Sequence, residues 1–512
     1  MHNFLSFSDA AKFAEVARNL VLGLGYNTSF TFWSTWIFSY LKQNTFSALG
    51  NPPVMPFSIA VFFKIFGISD FAVISTSFFY FILTLIFIFL LARKVFKSNL
   101  IGVFSTLSVG FNYDLINYAV HGASESPFIF EIVATSYLAS IKKKWATIIG
   151  FLLLILMYFT RPQAFIYIAG IILFWLLNNF KVKRALIYFI GVLIVGLLVD
   201  RFVLMPQSGK YFLYSIINRG LHSSFNQTSV ASNALRGAVT NFASGGTIQI
   251  LKNIFYNLYN FYKLLPQIIS PYLFALFVIG LFVRVKDKTE SAFKVTTVLM
   301  VVVTLLVTAA SIPFFRYLHP VTPLIYIVAV GTLVGIIKSQ ISNNKFTILI
   351  STFLILLFGV GQTLGVLILD SRFERRTHNV DKLPVYVQLS YLLRDNTNKD
   401  QTVITNLDTW GSWYGERRTV WFPLEPKQLV DPTIGKIPFD AIYLTSYLIN
   451  DQNYYMGKNW RMIFENPKDP SKWTCDGCGE VAKEFALKGV YKVGSSDNYE
   501  RQDASAVLLI KK

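Results

Sequence analysis

Hydrophobic positions along this chain fall into two regimes. Between about residues 71 and 369, long apolar runs alternate with short loops; before and after that stretch polar residues return. Apolar runs of about 20 residues are long enough to cross a bilayer. Ten are read as spans, at 71–92, 99–120, 126–141, 145–160, 164–180, 185–203, 266–283, 295–315, 320–337 and 346–369. The loops between them sort by charge. One side receives Arg93, Lys94 and Lys97, then Lys142, Lys143 and Lys144, then Lys181, Lys183 and Arg184, then Arg284, Lys286 and Lys288, then Lys338 and Lys345. The other receives HGASES, TRPQ, the long segment 204–265, RYLHP and the C-terminal tail. Lys and Arg gather in cytoplasmic loops, so the second set is expected outside, together with everything before residue 71. PPVMPFSIAVFFKIFG, residues 52–67, is apolar but short, and it carries three prolines and Lys64. It is expected to lie along the outer membrane surface; as a span it would place the N-terminus in the cytoplasm instead.

The two polar ends have patterns of their own. In SFSDAAKFAEVARNLVLGLGY, residues 6–26, Phe13, Val16, Ala17, Leu20 and Leu24 recur at helical spacing, while Asp9, Lys12, Glu15 and Arg18 lie off that face. An amphipathic helix is expected, capped by Ser8 or Asp9 and ended by Gly23 and Gly25. In the tail, VQLSYLLRDN reads as a helix and TVITN, RTVWF, FDAIYL and SAVLLIKK as short strands. Three regions follow: a first external loop at 1–70, a transmembrane bundle at 71–369, and a small external α/β domain at 370–512. Trp410, Trp413, Trp421, Trp460 and Trp473 of that domain suit either a core or sugar stacking.

Composition narrows the class. Mean hydropathy is +0.48 and only 15% of residues are charged, against about 25% in soluble domains. The net charge of +19 would suggest nucleic acid in a soluble protein. Here the cations sit in loops, and no nucleic-acid partner is expected. Met1–Phe7 lacks the basic and apolar regions of a signal peptide. Cys475 and Cys478, in CDGC, are the only cysteines. A closed zinc site takes four ligands, so a local disulfide or two free thiols remain. P-loop, GxGxxG and HExxH patterns are absent, which argues against an ATP-driven pump and a zincin.

Four polar stretches on the expected outer side are candidates for chemistry. Asp9 leads the amphipathic helix. Glu125, in HGASESPF, falls at the outer end of a span with His121 four residues before it; ionisable groups at membrane depth are functional candidates. Asp114 lies deeper along the preceding span, as a second wall of the same pocket or as a satisfied buried acid. Arg316 and His319, in RYLHP, either hold a phosphate, for which Arg offers a fork of donors, or anchor an interface. Arg161, in FTRPQAF, is the one charge in the hairpin 145–180.

The ordered set SDAAKFAEVARNLVLGLGY, NPPVMPFSIAVFFKIFG, HGASESPF, FTRPQAF and RYLHPVTP resembles the GT-C glycosyltransferases. The nearer likeness is to the branch of protein O-mannosyltransferases and bacterial lipid A aminoarabinose and lipopolysaccharide-core transferases. It covers roughly residues 6–340. The resemblance implies an α-helical polytopic GT-C fold and an inverting transfer of sugar from a polyprenyl phosphate to a lipid, glycan or protein acceptor outside the plasma membrane. It implies Asp9 as general base, Glu125 as the second acid, and Arg316, with His319 and Arg161, near the lipid phosphate. Asp114 and His121 are possible pocket residues. No cofactor is certain, and members of the family differ in whether they use a divalent cation. Two departures stand out. Relatives have an Asp-Glu pair where this chain has Asp9-Ala10, and they carry a transmembrane helix ahead of this loop. Residues 6–26 are therefore read as the start of a first external loop whose preceding helix is missing, through a fragment or a misassigned start. A transporter or lipid flippase is the rival reading; it would tolerate Asp9→Asn.

Overall fold

A computed structural model describes residues 4–32, 46–47, 51–199, 201–202, 246–283, 285–310, 314–341, 343–361, 363, 383–431, 435–449, 456–494 and 503–512. The first part of the expected outer loop, 204–245, and the stretch 370–382 lie outside the described residues.

The apolar runs become helices: α1 (Ser8–Val21), α2 (Val54–Phe66), α3 (Asp70–Phe96), α4 (Asn99–Gly110), α5 (Tyr113–Val120), α6 (Glu125–Ala139), α7 (Lys144–Tyr158), α8 (Ala164–Asn179) and α9 (Val182–Val199). After the long outer segment come α10 (Gly246–Lys263), α11 (Pro271–Phe282), α12 (Lys288–Ala310), α13 (Thr322–Gln340) and α14 (Asn344–Ile355). Among the described residues, α3, α9, α12 and the stretch Phe315–Gln340 are long and apolar enough to cross a membrane. The chain is a helical membrane protein.

One expected span is two helices. Residues 99–120 break at Phe111 and Asn112, where the Asn112 side chain accepts from the Leu115 N–H and caps α5. An Asn cap is a helix-start signal hidden here inside an apolar run. Conversely, part of the expected outer loop is helical, because α10 packs against α12. Helix α13 is apolar all round and buried along most of its length, as expected of a helix at the centre of a bundle. Small residues let its neighbours approach: Gly331 lies under the Phe96 ring and Gly280 of α11 under Thr332. Helix α9, by contrast, is exposed along nearly its whole length.

Residues 402–511 form most of a six-stranded sheet, whose strands lie side by side in the order 30–32, 418–421, 402–405, 441–445, 504–511 and 485–493. Strands β4 (Thr402–Thr405), β5 (Arg418–Trp421), β6 (Ala441–Thr445) and β8 (Ala504–Lys511) are the four expected ones. β7 (Phe485–Val493) is an added hairpin arm beside β8. The edge strand β2 (Phe30–Phe32) comes from the N-terminal loop and pairs in parallel with β5, Thr31 opposite Val420. The loop is thus stitched into the sheet. The helix α15 (Val385–Asn396), the expected VQLSYLLRDN element, packs beside the short helix Trp410–Trp413 and β7. All five tryptophans are buried. Cys475 and Cys478 are joined to each other as a disulfide.

Helix α1 lies between this domain and the bundle, which changes its expected character. It is buried on almost every side, including Glu15 and Asn19; Leu24, expected on the apolar face, is exposed. Glu15 is fully buried because three donors satisfy it: Asn19 Nδ2 at 2.8 Å, the Thr28 hydroxyl at 2.7 Å and the Ser29 N–H at 2.9 Å. The expected cap is also displaced. Phe7 is the N-cap and makes no side-chain cap bond, so Asp9 falls in the first turn with its carboxylate unoccupied by capping. There the helix dipole favours a negative charge.

Candidate functional site

The site is assembled where four chain segments meet, one of them the turn between α7 and α8 that brings Arg161. Helix α1 brings Asp9. The turn His121–Ser124 brings Glu125 at the start of α6. The 3₁₀ turns Phe315–Tyr317 and His319–Val321 bring Arg316 and His319. The close approach depends on Gly122. Its φ is +72°, and a Cβ there would lie 2.8 Å from Val73 Cγ1 and 3.3 Å from Ala10 Cβ. Only glycine suits both the backbone and the space, and the HGASE turn therefore docks directly on α1.

Four charged groups alternate in sign along this junction. Arg316 Nη1 donates to Asp9 Oδ2 at 2.9 Å. Arg316 Nε lies 3.9 Å from Glu125 Oε1. Arg161 Nη1 lies 2.7 Å from the same oxygen and donates to Ser124 Oγ at 3.0 Å. The two ends differ in access. The Arg316 and Asp9 side chains are 37% and 45% exposed, whereas Arg161 and Glu125 are 8% and 4% exposed. The inner pair is structural in character and the outer pair is open to a ligand. Arg161 Nε and Glu125 Oε1 are buried with no hydrogen-bond partner. The Tyr317 ring lies under both guanidiniums, 5.6 Å from that of Arg316 and 5.9 Å from that of Arg161.

Electrostatics at Asp9 are a contest. Enclosure by protein works to raise its pKa; Arg316 in contact, with Lys12 and Arg161 further off, overcomes this and holds the carboxyl below the usual value of 3.8. Asp9 is therefore ionised at neutral pH.

The remaining candidates form a second group. His319 is buried; Tyr118 Oη and His319 Nδ1 are 2.5 Å apart, and His319 Nε2 lies 3.7 Å from Asp114 Oδ2. His319 thus turns to Tyr118 and Asp114, not to the chain of ion pairs. His121 is buried with Nδ1 2.7 Å from the Asn117 carbonyl and its ring against Phe7 at 5.3 Å. Burial pushes its imidazole pKa down, against that hydrogen bond, so it is neutral at pH 7. Among the described residues, no three of His, Cys, Asp and Glu gather as metal ligands. Tyr118 and Ser124 were not foreseen. Tyr118 stands four residues after Asp114 in FNYDLINY, on the same helical face, and that spacing is the signal that could have found it.

Two residues beyond Arg316, an apolar groove of about 190 Å³ opens between α10, α12 and the start of α13. Phe261, Leu265, Leu305, Leu318, Val321 and Ile325 are among its walls.

A family model, dolichyl-phosphate-mannose-protein mannosyltransferase, matches residues 50–203. No curated protein matches the chain. Among solved structures, ArnT from Cupriavidus metallidurans bound to undecaprenyl phosphate is similar at 11% identity, with a TM-score of 0.50 over 98% of this chain and 93% of that one. ArnT from the same organism in the apo state scores 0.45 at 11% identity over the same shares. The Archaeoglobus fulgidus oligosaccharyltransferase scores 0.49 at 11% identity, over 96% of this chain and 68% of that one. This chain has the GT-C fold. The family match contains Asp114, His121, Glu125 and Arg161 but neither Asp9 nor Arg316. In this chain the matched segment is joined to Asp9 by the ion pairs of Arg316.

Proposed function

We propose that this protein is a membrane glycosyltransferase that moves a sugar from a polyprenyl-phosphate donor to an acceptor on the outer face of the plasma membrane, with inversion. The observation that carries the reading is the accessible Asp9–Arg316 pair, with Leu318, two residues beyond Arg316, in the wall of an apolar groove. A prenyl chain needs an apolar channel, its phosphate needs a cation, and the acceptor needs a base, and the groove, Arg316 and Asp9 are the candidates for these parts. The undecaprenyl phosphate bound to ArnT, a protein of the same fold, supports the same donor class. The proposal keeps the ten spans and the external C-terminal domain of the charge pattern, and it leaves the sugar and the acceptor unassigned.

In the resting site Arg316 is engaged with Asp9. An arriving phosphate competes for the guanidinium fork, for which it has the matching geometry. Asp9, relieved of part of that interaction, becomes a stronger base. The acceptor oxygen or nitrogen then attacks the anomeric carbon from the face opposite the phosphate, and its proton passes to the Asp9 carboxylate. The bond from carbon to phosphate oxygen breaks, and the electron pair stays on the phosphate, where Arg316 stabilises the added charge. A positioned base contributes something like 10²–10⁴-fold, and donors aimed at developing charge often contribute more. Glu125 and Arg161 hold each other and bring a second carboxylate to Arg316, fixing its approach.

The test is transfer by the purified chain in nanodiscs, with polyprenyl-phosphate sugars as donors and Asp9→Asn as control. Donor consumption that needs Asp9 supports the reading. A chain that consumes no such donor, or an Asp9→Asn variant as active as the wild type, overturns it. Orientation has its own check: with Cys475 and Cys478 replaced by Ser and a cysteine placed at Ser6, an impermeant thiol reagent labels intact cells. Labelling only after lysis would put Asp9 in the cytoplasm and remove it as the base.

A further inference from the structure

A cleft of about 860 Å³ lies between the C-terminal end of α1, the first turn of α3 and the sheet domain. That volume is in the usual range of ligand sites, about 300–1,000 Å³. It is separate from the transfer site. Asp9 and Arg18 are nine residues apart on α1, roughly 14 Å along the axis, and half-integral turns put them on opposite faces.

The charges lining the cleft are unbalanced, and bonding within the protein explains only some of them. Five cations face three carboxylates. Arg18 is satisfied: it donates to the Ser412 and Trp413 carbonyls at 2.9 and 3.0 Å and lies over the Trp413 ring. Arg417 is satisfied by the Thr397 hydroxyl and by carbonyls of Thr397, Arg394, Gly415 and Glu416. Asp70 is satisfied by Trp413 and Tyr414. Three cations remain. Arg418 makes one bond, to the Asp400 carbonyl at 3.1 Å, and its Nε is buried without a partner. Arg394 lies over the Tyr391 ring at 4.4 Å and meets only the exposed Asp395 through Nε. Lys399 is exposed. Among the described residues, Lys399, Arg417 and Arg418 have no carboxylate partner.

Burial works against the charge of both Arg417 and Arg418, and nearby acids do not restore it. Asp400 and Glu416 also line the cleft, but among the described residues neither pairs with a cation of the cleft, and clustered cations that outnumber the acids raise the local potential and favour an anion. Glu416, at the rim, adopts φ +51°; a strained backbone of this kind persists where surrounding structure over-determines it, and it clusters at ligand sites. The half-buried Tyr391 ring adds a flat wall suited to the C–H face of a sugar ring.

We propose that this cleft binds an anionic carbohydrate, the carboxylate- or phosphate-bearing part of the acceptor, through Arg394, Lys399 and Arg418 with Tyr391 beside them. Calling that ligand the acceptor rests on the transfer reading; the site itself does not. The experiment titrates the full chain in nanodiscs with trigalacturonate, with maltotriose as the neutral counterpart and inorganic phosphate as competitor. The double variant Arg394→Gln/Lys399→Gln removes two side chains at the open side of the cleft, and its fold is checked by thermal unfolding. Trigalacturonate is expected to bind, to weaken by at least about tenfold in the double variant, as loss of charge-assisted hydrogen bonds implies, and to be displaced by phosphate. Maltotriose is expected not to bind. Equal affinity of wild type and double variant, equal binding of the neutral sugar, or no binding of trigalacturonate overturns the proposal. Asp9→Asn separates the two readings, because it should abolish transfer and leave this affinity unchanged. In the wild type, absent transfer with retained binding overturns the acceptor role alone, whereas transfer without anion binding overturns the cleft alone.

Discussion

Arg316 reaches Asp9 across 307 residues of chain and donates to its Oδ2 at 2.9 Å. Both side chains are more than a third exposed, so the pair is chemically prominent and energetically modest; accessible ion pairs contribute about 0–1 kcal/mol. Asp9→Asn should therefore separate activity from stability. Transfer should fall by about 10²–10⁴-fold, while the unfolding midpoint in detergent stays close to the wild type. A large loss of stability would make Asp9 a structural residue.

The same pair sets a pH dependence. Enclosure raises the Asp9 pKa, but Arg316, Lys12 and Arg161 together bring it below 3.8. A depressed carboxyl pKa stabilises the folded state above the unfolded value, and that contribution is lost as pH falls through the folded value. For kcat/KM, which reports the free enzyme, the acid limb should lie below the ordinary aspartate range. Arg316→Gln leaves the enclosure and removes the main opposing charge, so the limb should move to higher pH. A pH–rate profile of the variant checks the direction; an unmoved limb would show that another group controls it.

Glu125 and Arg161 are expected to behave in the opposite way. Both are nearly inaccessible and 2.7 Å apart. Removing one partner of a buried pair strands the other, at a cost of about 3–5 kcal/mol. Arg161→Met alone and Glu125→Leu alone should each lower the unfolding midpoint strongly. The double variant should recover much of that stability without recovering transfer. Single variants that unfold like the wild type would show that water reaches the pair.

How far the sequence discloses this site depends on the range of each interaction. Most of the helices from α3 to α14 follow from apolar runs, because that signal is local; the break between α4 and α5 and the helix α10, inside the expected outer loop, do not. The ordered motifs of the family resemblance place Asp9, Glu125, Arg161 and Arg316 as candidates, but no local pattern shows that the four charges alternate along one line. Ala10 illustrates the difference. At sequence level it is a departure from an acidic pair. In the fold it is fully buried, and its Cβ would sit 3.3 Å from a Cβ at Gly122. A glutamate there would displace the turn that carries Glu125, so the lone acid has a packing cause. β2 was not legible either, since three residues, FTF, become a strand only by pairing with Thr419–Trp421. Glu15 looked solvent-facing because its donors, Thr28 and Ser29, come from the following loop.

Contacts between the distal domain and α1 carry the last prediction. The Leu5 N–H donates to Tyr414 Oη at 2.7 Å, and the Trp410 indole donates to the Leu5 carbonyl at 3.0 Å. The Thr409 hydroxyl donates to the Ser8 carbonyl, one residue before Asp9. Tyr414 and Trp413 then donate to the two oxygens of Asp70, at the first turn of α3. The Thr409–Tyr414 segment thus ties the start of α1 to the bundle. Tyr414→Phe keeps the ring and removes both bonds of the hydroxyl, leaving Asp70 Oδ2 and the Leu5 N–H short of a partner. Lost hydrogen bonds of this kind cost about 1–3 kcal/mol. If the tie positions Asp9, kcat should fall while the donor KM changes little, because the groove and Arg316 are untouched. Asp70→Asn, which weakens the same node from the other side, should produce the same split. Variants that lose stability with kcat intact would reduce the tie to a structural joint, and variants that raise KM alone would place its effect on the donor.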